Sequence, residues 1–375
     1  MKQLDPPPQR ILMLKGHSAG VGDLLRSSAA WGALHDAFPH AALHLLFLTR
    51  DPGASAEELI RHHHRLSSFE VVDKRTRTRA AWWRFLREVR AISDRVRPDL
   101  VIDFEPNGLR TSLLTMWLGI RSRARTVGVA TQPGRGWFYQ VAAASPKRFA
   151  AARRLPWPLE YTQRDFVALA ALGLERTDRA IELRETDAGA AFRLALRARH
   201  GLPAEARLLG LNLGCGTPDA VAKRPNLELM SSLVGALQRD HGLALVLTGA
   251  PFERAINTAF RERYREPPGS RVIDLAGQTS LLTLAGAIQA CELFISSDSG
   301  PFHMAVALGV PTLGVFNWDN RVHFHHQAWV RCCVAPTPAD LPALHAAAEA
   351  LLDMEPRSPA LTGRQTARLP LDGRP

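Results

Sequence analysis

The stretch that decides the fold reads Ser297-Asp298-Ser299-Gly300-Pro301-Phe302-His303-Met304-Ala305, and it comes just after an apolar run at residues 293–295. This order predicts a buried parallel strand that ends in a turn and opens into a helix. Ser299 or Asp298 could cap that helix, and Pro301 suits its first turn, where a missing N–H costs nothing. A helix N-terminus beside Gly300 is a natural pocket for a phosphate group, and Asp298 adds a carboxylate that could hold sugar hydroxyls. The stretch therefore indicates either a sugar-nucleotide site or an ordinary capped helix on a parallel sheet.

Strand and helix patterns alternate along the whole chain. In the first half, short apolar runs predict strands at residues 11–14, 43–49, 69–73, 100–105 and 126–130. In the second half, they predict strands at residues 208–213, 243–248, 272–275, 293–296, 312–316 and 332–334. Helical patterns intervene, such as those at residues 24–37, 82–96, 226–239, 253–264, 281–291 and 302–308. This repeated order predicts an α/β protein built from two doubly wound, Rossmann-like domains.

Length, composition and charge narrow the class of protein. The 375 residues suffice for two domains, and 46% of them are apolar. No apolar run reaches the roughly 18 residues of a transmembrane helix, and the polar, proline-rich residues 1–10 do not form a signal peptide. The four cysteines have no metal-ligand spacing and fit a reducing, cytoplasmic compartment; they are Cys215, Cys291, Cys332 and Cys333.

The charge balance predicts an anionic partner. Lys and Arg number 47 against 36 Asp and Glu, which gives a net charge of +11. Such an excess favours a phosphorylated substrate or an anionic membrane surface. Zinc-finger spacing and aromatic RNA-binding signatures are missing from the sequence, so nucleic acid is the least favoured partner.

Composition also places the domain boundaries. We expect a first domain at residues 1–176 and a second at residues 177–355, because Gly173 ends a helical pattern just before the boundary. Residues 356–375 are rich in Pro, Gly and Arg and are expected to form a disordered tail. Ligands of open parallel sheets bind beyond the carboxyl ends of the strands. On that rule, one cleft between the domains should be lined by residues 15–23, 214–225, 249–253 and 298–303.

These four segments together resemble glycosyltransferase family 9, the ADP-heptose:lipopolysaccharide heptosyltransferases. The best match is the stretch from Ser297 to Thr312, which is similar to the family's D-[ST]-G-x-x-H-x-A-x-A-L-G-x-P-T segment. The others are Lys15 with Gly20-Val21-Gly22-Asp23-Leu24-Leu25, Asn212-Leu213-Gly214 with Lys223-Arg224-Pro225, and Gly249-Ala250-Pro251-Phe252-Glu253. The resemblance runs over residues 11–334. It implies a GT-B fold with an N-terminal acceptor-binding domain and a C-terminal donor-binding domain.

The sequence departs from the family at two places. Where the family usually has Asn-Pro-Gly-Ala, this chain has Asn212-Leu213-Gly214-Cys215. Where the family has Lys-Arg-Trp-Pro, no tryptophan stands between Arg224 and Pro225. Both changes fall on the donor side, so they bear on the nucleotide and the sugar more than on the fold.

The resemblance implies an inverting glycosyltransferase that moves a heptose or related sugar from a nucleotide-sugar, ADP-heptose in the first place, to a lipopolysaccharide core or other glycan. The expected partners are this donor and a phosphorylated glycolipid or glycan acceptor, with no cofactor. Two other functions stay open. One is a sugar-nucleotide epimerase of the same architecture, and the other is a non-catalytic protein that binds sugar-nucleotides or glycolipids.

The resemblance implies roles in donor binding for three residues. Lys223 would contact the donor phosphates as a mobile positive charge, or it is a solvated loop lysine. Thr217 could add a hydroxyl to the same phosphates. Glu253 would bind the ribose hydroxyls, or it compensates the dipole of the helix that follows.

The deciding stretch supplies the rest of the donor side. Asp298 would bind sugar hydroxyls or orient the donor, and the backbone N–H groups of Ser299 and Gly300 would face the diphosphate. His303 either lies close to the site or is a core histidine.

The acceptor side depends on the loop after the first strand. The family's proposed base matches Asp23, whose alternative role is a helix N-cap. Gly22 is expected to let the chain turn sharply before it. Lys15 would add positive charge near the acceptor, or it is solvated.

The sequence predicts no metal site. Histidines cluster at residues 62–64 and at His323, His325 and His326, but no carboxylate pattern accompanies either cluster. No Asp-x-Asp occurs, so a lysine and a helix dipole would replace the cation that other glycosyltransferases use on the diphosphate.

One amphipathic helix has two possible partners. Its apolar residues recur at helical spacing, and arginines occupy or flank the other face; the apolar set is Trp82, Phe85, Leu86, Val89, Ile92 and Val96. The face could pack on the sheet in the ordinary way. It could instead contact the anionic inner face of the cytoplasmic membrane or a lipid-linked acceptor, as could the aromatic and basic segment 137–154.

Overall fold

The structure is a computed structural model that describes residues 4–16, 20–174, 178–216 and 221–354. The chain divides into two compact units, Met1–Leu183 and Arg184–Pro375. Thr217, the boundary predicted at residue 176 and the tail predicted at residues 356–375 all lie outside the described residues.

The first unit is built on a parallel sheet of six strands. In spatial order these are β3, β2, β1, β4, β5 and β6. The strands span Arg10–Lys15 (β1), Ala42–Thr49 (β2), Ser68–Asp73 (β3), Leu100–Asp103 (β4), Arg125–Val129 (β5) and Val141–Ala143 (β6). The helices span Val21–Leu25 (α1), Ser28–Ala37 (α2), Ser55–Arg61 (α3), Arg79–Val96 (α4), Leu109–Ser122 (α5), Pro146–Ala152 (α6) and Tyr161–Leu169 (α7).

The second unit repeats this plan. Its parallel sheet has the spatial order β12, β11, β10, β7, β8 and β9. The strands span Leu208–Asn212 (β7), Ala244–Thr248 (β8), Val272–Asp274 (β9), Leu293–Ser296 (β10), Thr312–Phe316 (β11) and Val330–Val334 (β12). The helices span Asp187–Arg199 (α8), Leu227–His241 (α9), Arg254–Arg263 (α10), Leu281–Gln289 (α11), Gly300–Ala307 (α12) and Leu341–Leu352 (α13).

Continuous apolar runs form the central strands because both faces of these sheets are covered by helices. Every described residue of β4, β7, β8, β10 and β11 is buried. The core of the second unit joins leucines of its strands to the inner faces of α9, α10 and α13. In the first unit, α4 packs Phe85, Val89, Ile92 and Val96 onto the sheet. The prediction of two doubly wound α/β sheets is confirmed.

Two details differ from the predictions. The helix predicted at residues 24–37 is two helices, since the first ends at Leu25 and the second begins at Ser28, whose hydroxyl donates to the Leu25 carbonyl oxygen. Gly22 does not make a sharp turn; it is buried inside α1. Among the described residues, no helix combines the length and the apolar character that a bilayer span requires.

Candidate functional site

Each sheet reverses its strand order at one place, where the loops that leave two neighbouring strands diverge. In the second unit this place lies between β7 and β10, which pair in parallel from Leu209 to Asn212. The loops after β7, β8, β10 and β11 all leave the same edge of the sheet. Of the predicted donor-side residues that the structure describes, Lys223, Glu253 and Asp298 stand on these loops.

The loop after β7 meets the loop after β10 through an ion pair. The Lys223 ammonium donates to Asp298 Oδ2 at 3.0 Å. The Lys223 side chain is only partly exposed, and Asp298 is 2% exposed. Lys223 also lies 5.8 Å from the centre of the Trp318 ring, which is half exposed. The alternative of a freely solvated loop lysine is therefore wrong.

Asp298 is held from a third loop as well. His323 Nδ1 donates to Asp298 Oδ1 at 2.7 Å, because an ionised carboxylate can only accept. Asn320 Nδ2 donates to Asp298 Oδ2 at 2.6 Å. Burial by itself raises the pKa of the Asp298 carboxyl, but the hydrogen bond and charge of His323, the charge of Lys223 and the hydrogen bond from Asn320 hold that pKa well below its usual range. The site thus keeps a buried negative charge that several donors position.

Glu253 ties two loops of this edge together. Its Oε1 accepts from the backbone N–H groups of Cys215 at 2.8 Å and Gly216 at 3.0 Å, and its Oε2 accepts from the N–H of Ala250 at 2.7 Å. A Cβ on Gly214 would overlap this carboxylate, and Gly216 has a φ of +77°, so both positions suit glycine. In this structure the Glu253 carboxylate organises the loops, and its binding of ribose stays a prediction.

The helix of the deciding stretch begins as predicted, but its N-cap side chain has another task. Ser299 is the N-cap residue of α12 and makes no capping hydrogen bond with its side chain. Its hydroxyl instead accepts from Asn212 Nδ2 at 3.0 Å and lies 3.1 Å from the hydroxyl of Ser296. Asp298 does not cap the helix either. The N-terminus of α12, with Gly300 and Pro301 in its first turn, faces this edge without a side-chain cap.

His303 is a buried residue of α12 that belongs to a cluster of rings. Its Nδ1 lies 2.8 Å from Nε2 of the buried His325. The Phe302 ring contacts both histidines, and the His303 and His323 ring centres are 5.9 Å apart. His303 is therefore a core histidine that lies next to His323, and its part in ligand binding stays a prediction.

In the first unit the corresponding reversal lies between β1 and β4. The backbone N–H of Gly16, just after β1, donates to Glu105 Oε1 at 2.8 Å, just after β4. Lys15 ends β1 and pairs with Asp165 of α7, to whose two oxygens its ammonium donates at 3.0 and 2.9 Å. Both side chains are largely buried, so the alternative of a solvated lysine is wrong.

Asp23 lies in the first turn of α1 and is not the N-cap, which is Gly20. Its carboxylate is paired with the guanidinium of Arg26, one turn later in the chain. Arg26 is buried and lies 4.3 Å from the centre of the Tyr161 ring, and Arg164 lies 3.7 Å from the same ring. Asp23 keeps about a quarter of its side chain exposed, so it can meet a ligand while Arg26 holds it.

A model of glycosyltransferase family 9 (heptosyltransferase) matches residues 99–330, which is more than half of the chain. The chain belongs to this family. The match includes the loops after β7 and β10, which carry the ion pair of Lys223 and Asp298, and the loop after β8. The resemblance inferred from four short segments is therefore confirmed.

Relatives and solved structures agree with the family. The chain is 26% identical to lipooligosaccharide heptosyltransferase 2 of Campylobacter jejuni over 110 residues, which are 29% of this chain and 33% of that protein. It is similar to a family 9 glycosyltransferase of Veillonella parvula, with a TM-score of 0.69 and 20% identity over 92% of this chain and 97% of that one. It is similar to ADP-heptose lipopolysaccharide heptosyltransferase II of Escherichia coli, with a TM-score of 0.65 and 18% identity over 92% and 98% of the chains.

At such identities the structural likeness concerns the fold, which is the GT-B fold of the family. The curated relative is matched over about a third of its length. Sequence reasoning for this family 9 chain missed Asn320 and Arg26 and named His323 only within a histidine cluster, although each of the three holds a predicted site residue. It also missed α7, although Tyr161, Arg164 and Asp165 recur there at the three- and four-residue spacing of one helix face.

Proposed function

We propose that this chain is an inverting glycosyltransferase that moves a heptose, or a closely related sugar, from a nucleotide-sugar to a lipopolysaccharide-core or other glycan acceptor. ADP-heptose is the donor that we propose first. The reaction would take place on the cytoplasmic side of the membrane that carries a lipid-linked acceptor.

The ion pair of Lys223 and Asp298 is the observation that carries this proposal. It stands at the strand-order reversal of the second unit, where ligands of such sheets bind. An ammonium group suits the leaving diphosphate, and a carboxylate suits sugar hydroxyls. The N-terminus of α12 has no side-chain cap, and the backbone N–H groups of Ser299 and Gly300 would be available to the same diphosphate.

Several of the predicted residues would share the chemistry. Asp23 would take the proton of the acceptor hydroxyl, whose oxygen attacks the anomeric carbon of the donor sugar. The bond from that carbon to the diphosphate oxygen breaks, and the nucleoside diphosphate leaves with the electron pair. Lys223 and the α12 N–H groups would stabilise the negative charge that develops there. Attack opposite the leaving group inverts the anomeric centre, and the step as written uses no metal ion.

A basic face on the first unit supports a lipid-linked, anionic acceptor. Of the sixteen residues 75–90, six are arginine and one is acidic. Trp82 and Trp83, near the start of α4, are 45% and 68% exposed, while Phe85 and Val89 face the core. Exposed tryptophans beside arginines favour the surface of an anionic bilayer. We propose that this face brings the chain to the membrane that holds the acceptor.

A thermal-shift panel of ADP-, UDP- and GDP-sugars tests the donor. The proposal predicts that ADP-heptose raises the melting temperature more than UDP- or GDP-sugars at equal concentration. No shift with any of them would contradict it. Incubation with donor alone separates transfer from epimerisation, because an epimerase converts the donor without an acceptor whereas a transferase leaves it intact.

A further inference from the structure

Three metal-ligating side chains converge at the edge of the second sheet. They are Asp298 after β10, His303 in α12 and His323 in the loop after β11. One carboxylate oxygen and one ring nitrogen of each histidine lie within 4.8 Å of one another. The set is not evident from the sequence, because Asp298 precedes His323 by 25 residues.

The three ligand atoms lie within 4.8 Å of one another, which is near the separation that one ion requires. Ligands about 2.1 Å from a tetrahedral zinc ion are about 3.4 Å from one another. Asp298 Oδ1 and His323 Nδ1 are already 2.7 Å apart, so an ion could replace the proton between them with a small outward shift. Two imidazoles and a carboxylate are a donor set that zinc takes in sites with an open fourth position.

Hydrogen bonds from neighbouring side chains also orient these ligands, as is usual in metal sites. Asn320 donates to Asp298 Oδ2, which turns Oδ1 toward His323. His325 fixes the His303 ring through the contact between Nε2 and Nδ1. These partners set both side chains before any ion arrives.

Two of the three ligands are shielded from solvent, and the third is accessible. Asp298 and His303 are each 2% exposed, whereas His323 keeps 17% of its side chain exposed. An ion can therefore enter past His323. Its replacement also removes one donor from the buried Asp298 carboxylate, so the folding of such a variant has to be measured.

We propose that Asp298, His303 and His323 form a binding site for a divalent transition metal ion, with zinc the best match. The site shares Asp298 with the proposed donor site, so it rests in part on the same loops. The Lys223 ammonium lies against the same carboxylate and opposes a second positive charge there. Removal of that ammonium should therefore strengthen metal binding.

The test is a titration of metal-stripped protein with ZnCl2 in competition with a chromophoric chelator. We expect one tight equivalent in the wild type and a loss of about 100-fold or more in affinity in His323→Ala, since a ligand should matter at least as much as the 10–100-fold of a supporting residue. Lys223→Ala should bind zinc more tightly than the wild type. Thermal melts without metal check that the variants are folded.

The chain offers a matched control. Asp240, His345 and Glu349, on α9 and α13, form a second, more exposed group that could also hold an ion. His345→Ala should keep the tight equivalent. Unchanged zinc binding in folded His323→Ala, or loss of the tight equivalent in His345→Ala alone, would overturn the proposal.

A second readout reports the ligands directly. When Co²⁺ replaces Zn²⁺, the wild type should show the visible absorption bands of a four- or five-coordinate cobalt ion. His323→Ala should not show these bands. ADP binding in the presence of a chelator is measured alongside. Zinc binding that fails while ADP still binds would overturn only the metal site, and ADP binding that fails while zinc binds would overturn only the donor assignment.

Discussion

Lys223 Nζ and Asp298 Oδ2 lie 3.0 Å apart, although 75 residues separate them in the chain. The contact joins the loops that leave β7 and β10, the two strands between which the order of the second sheet reverses. We propose that the ammonium binds the diphosphate of a nucleotide-sugar and that the carboxylate accepts from its sugar hydroxyls.

Replacement of Lys223 by alanine should weaken binding of the nucleotide-sugar about 10- to 150-fold. A hydrogen bond to a charged group contributes about 1.5–3 kcal/mol, and the leaving diphosphate would lose one. Titration calorimetry with ADP measures the effect. Asp298 keeps its donors His323 and Asn320 in this variant, so the melting temperature should change little.

Lys223→Arg is the matched control for charge and should recover much of the affinity. If Lys223→Ala binds ADP as tightly as the wild type, the lysine does not contact the phosphates.

Glu253→Gln should destabilise the second unit, because the two carboxylate oxygens accept three backbone N–H groups, whereas an amide has one acceptor oxygen and its NH2 group would face at least one N–H. The expected loss is about 1.5–3 kcal/mol in the free energy of unfolding. Urea unfolding measures it. Glu262→Gln, on the exposed face of α10, should leave stability unchanged. Equal stability in both variants would show that Glu253 does not organise the loops.

The apolar runs alone predicted eleven of the twelve strands, because strands covered on both faces need continuous apolar residues. Val141–Ala143 was missed, since an edge strand of three residues with one buried side chain leaves no such run. The split between α1 and α2 was also missed, because the apolar pattern continues across it.

The site was predictable in part for a geometric reason. Loops that leave neighbouring parallel strands share one edge, so Lys223 and Asp298 could be expected to lie close together. The side chains that hold a site residue could not be predicted in the same way. Asn320 and His323 lie in an aperiodic loop after β11, and only the folded chain brings them to Asp298.

Buried His63 should make the first unit sensitive to acid. Its Nε2 donates to the Glu182 carbonyl oxygen and its Nδ1 accepts from the Arg65 N–H, so the ring is neutral. Burial, the largest cause, lowers the pKa of His63 from 6.5 to about 4. Because the folded pKa is the lower one, the stabilisation is full above pH 6.5 and is lost as the pH falls through 4.

The expected loss from this residue between pH 7 and pH 4 is about 3 kcal/mol. Urea unfolding gives the free energy of unfolding of the wild type and of His63→Gln at both pH values. The wild type should lose more of this free energy than the variant, and the difference between the two losses is the contribution of His63. His62→Gln, an exposed neighbour, should follow the wild type. A pH dependence in His63→Gln that equals that of the wild type would refute the assignment.

The basic face of α4 should bind anionic vesicles. Arg84→Gln with Arg87→Gln should weaken binding about 30-fold, since each arginine near such a surface contributes about 1 kcal/mol. Co-sedimentation with phosphatidylglycerol vesicles measures the effect. The control pair Arg261→Gln with Arg263→Gln makes the same change of charge on α10. An equal loss in both pairs would mean that net charge, and not this face, attracts the chain.

The central claim, that this family 9 chain transfers a sugar with Asp23 as the base, is tested most directly by Asp23→Asn. Asparagine keeps the size of the side chain but cannot take a proton. With ADP-heptose and a heptose-deficient lipooligosaccharide as substrates, turnover should fall by roughly 10²–10⁴ while the affinity for ADP-heptose stays unchanged. Wild-type turnover in Asp23→Asn would contradict the account, as would a wild-type protein that leaves both substrates unjoined.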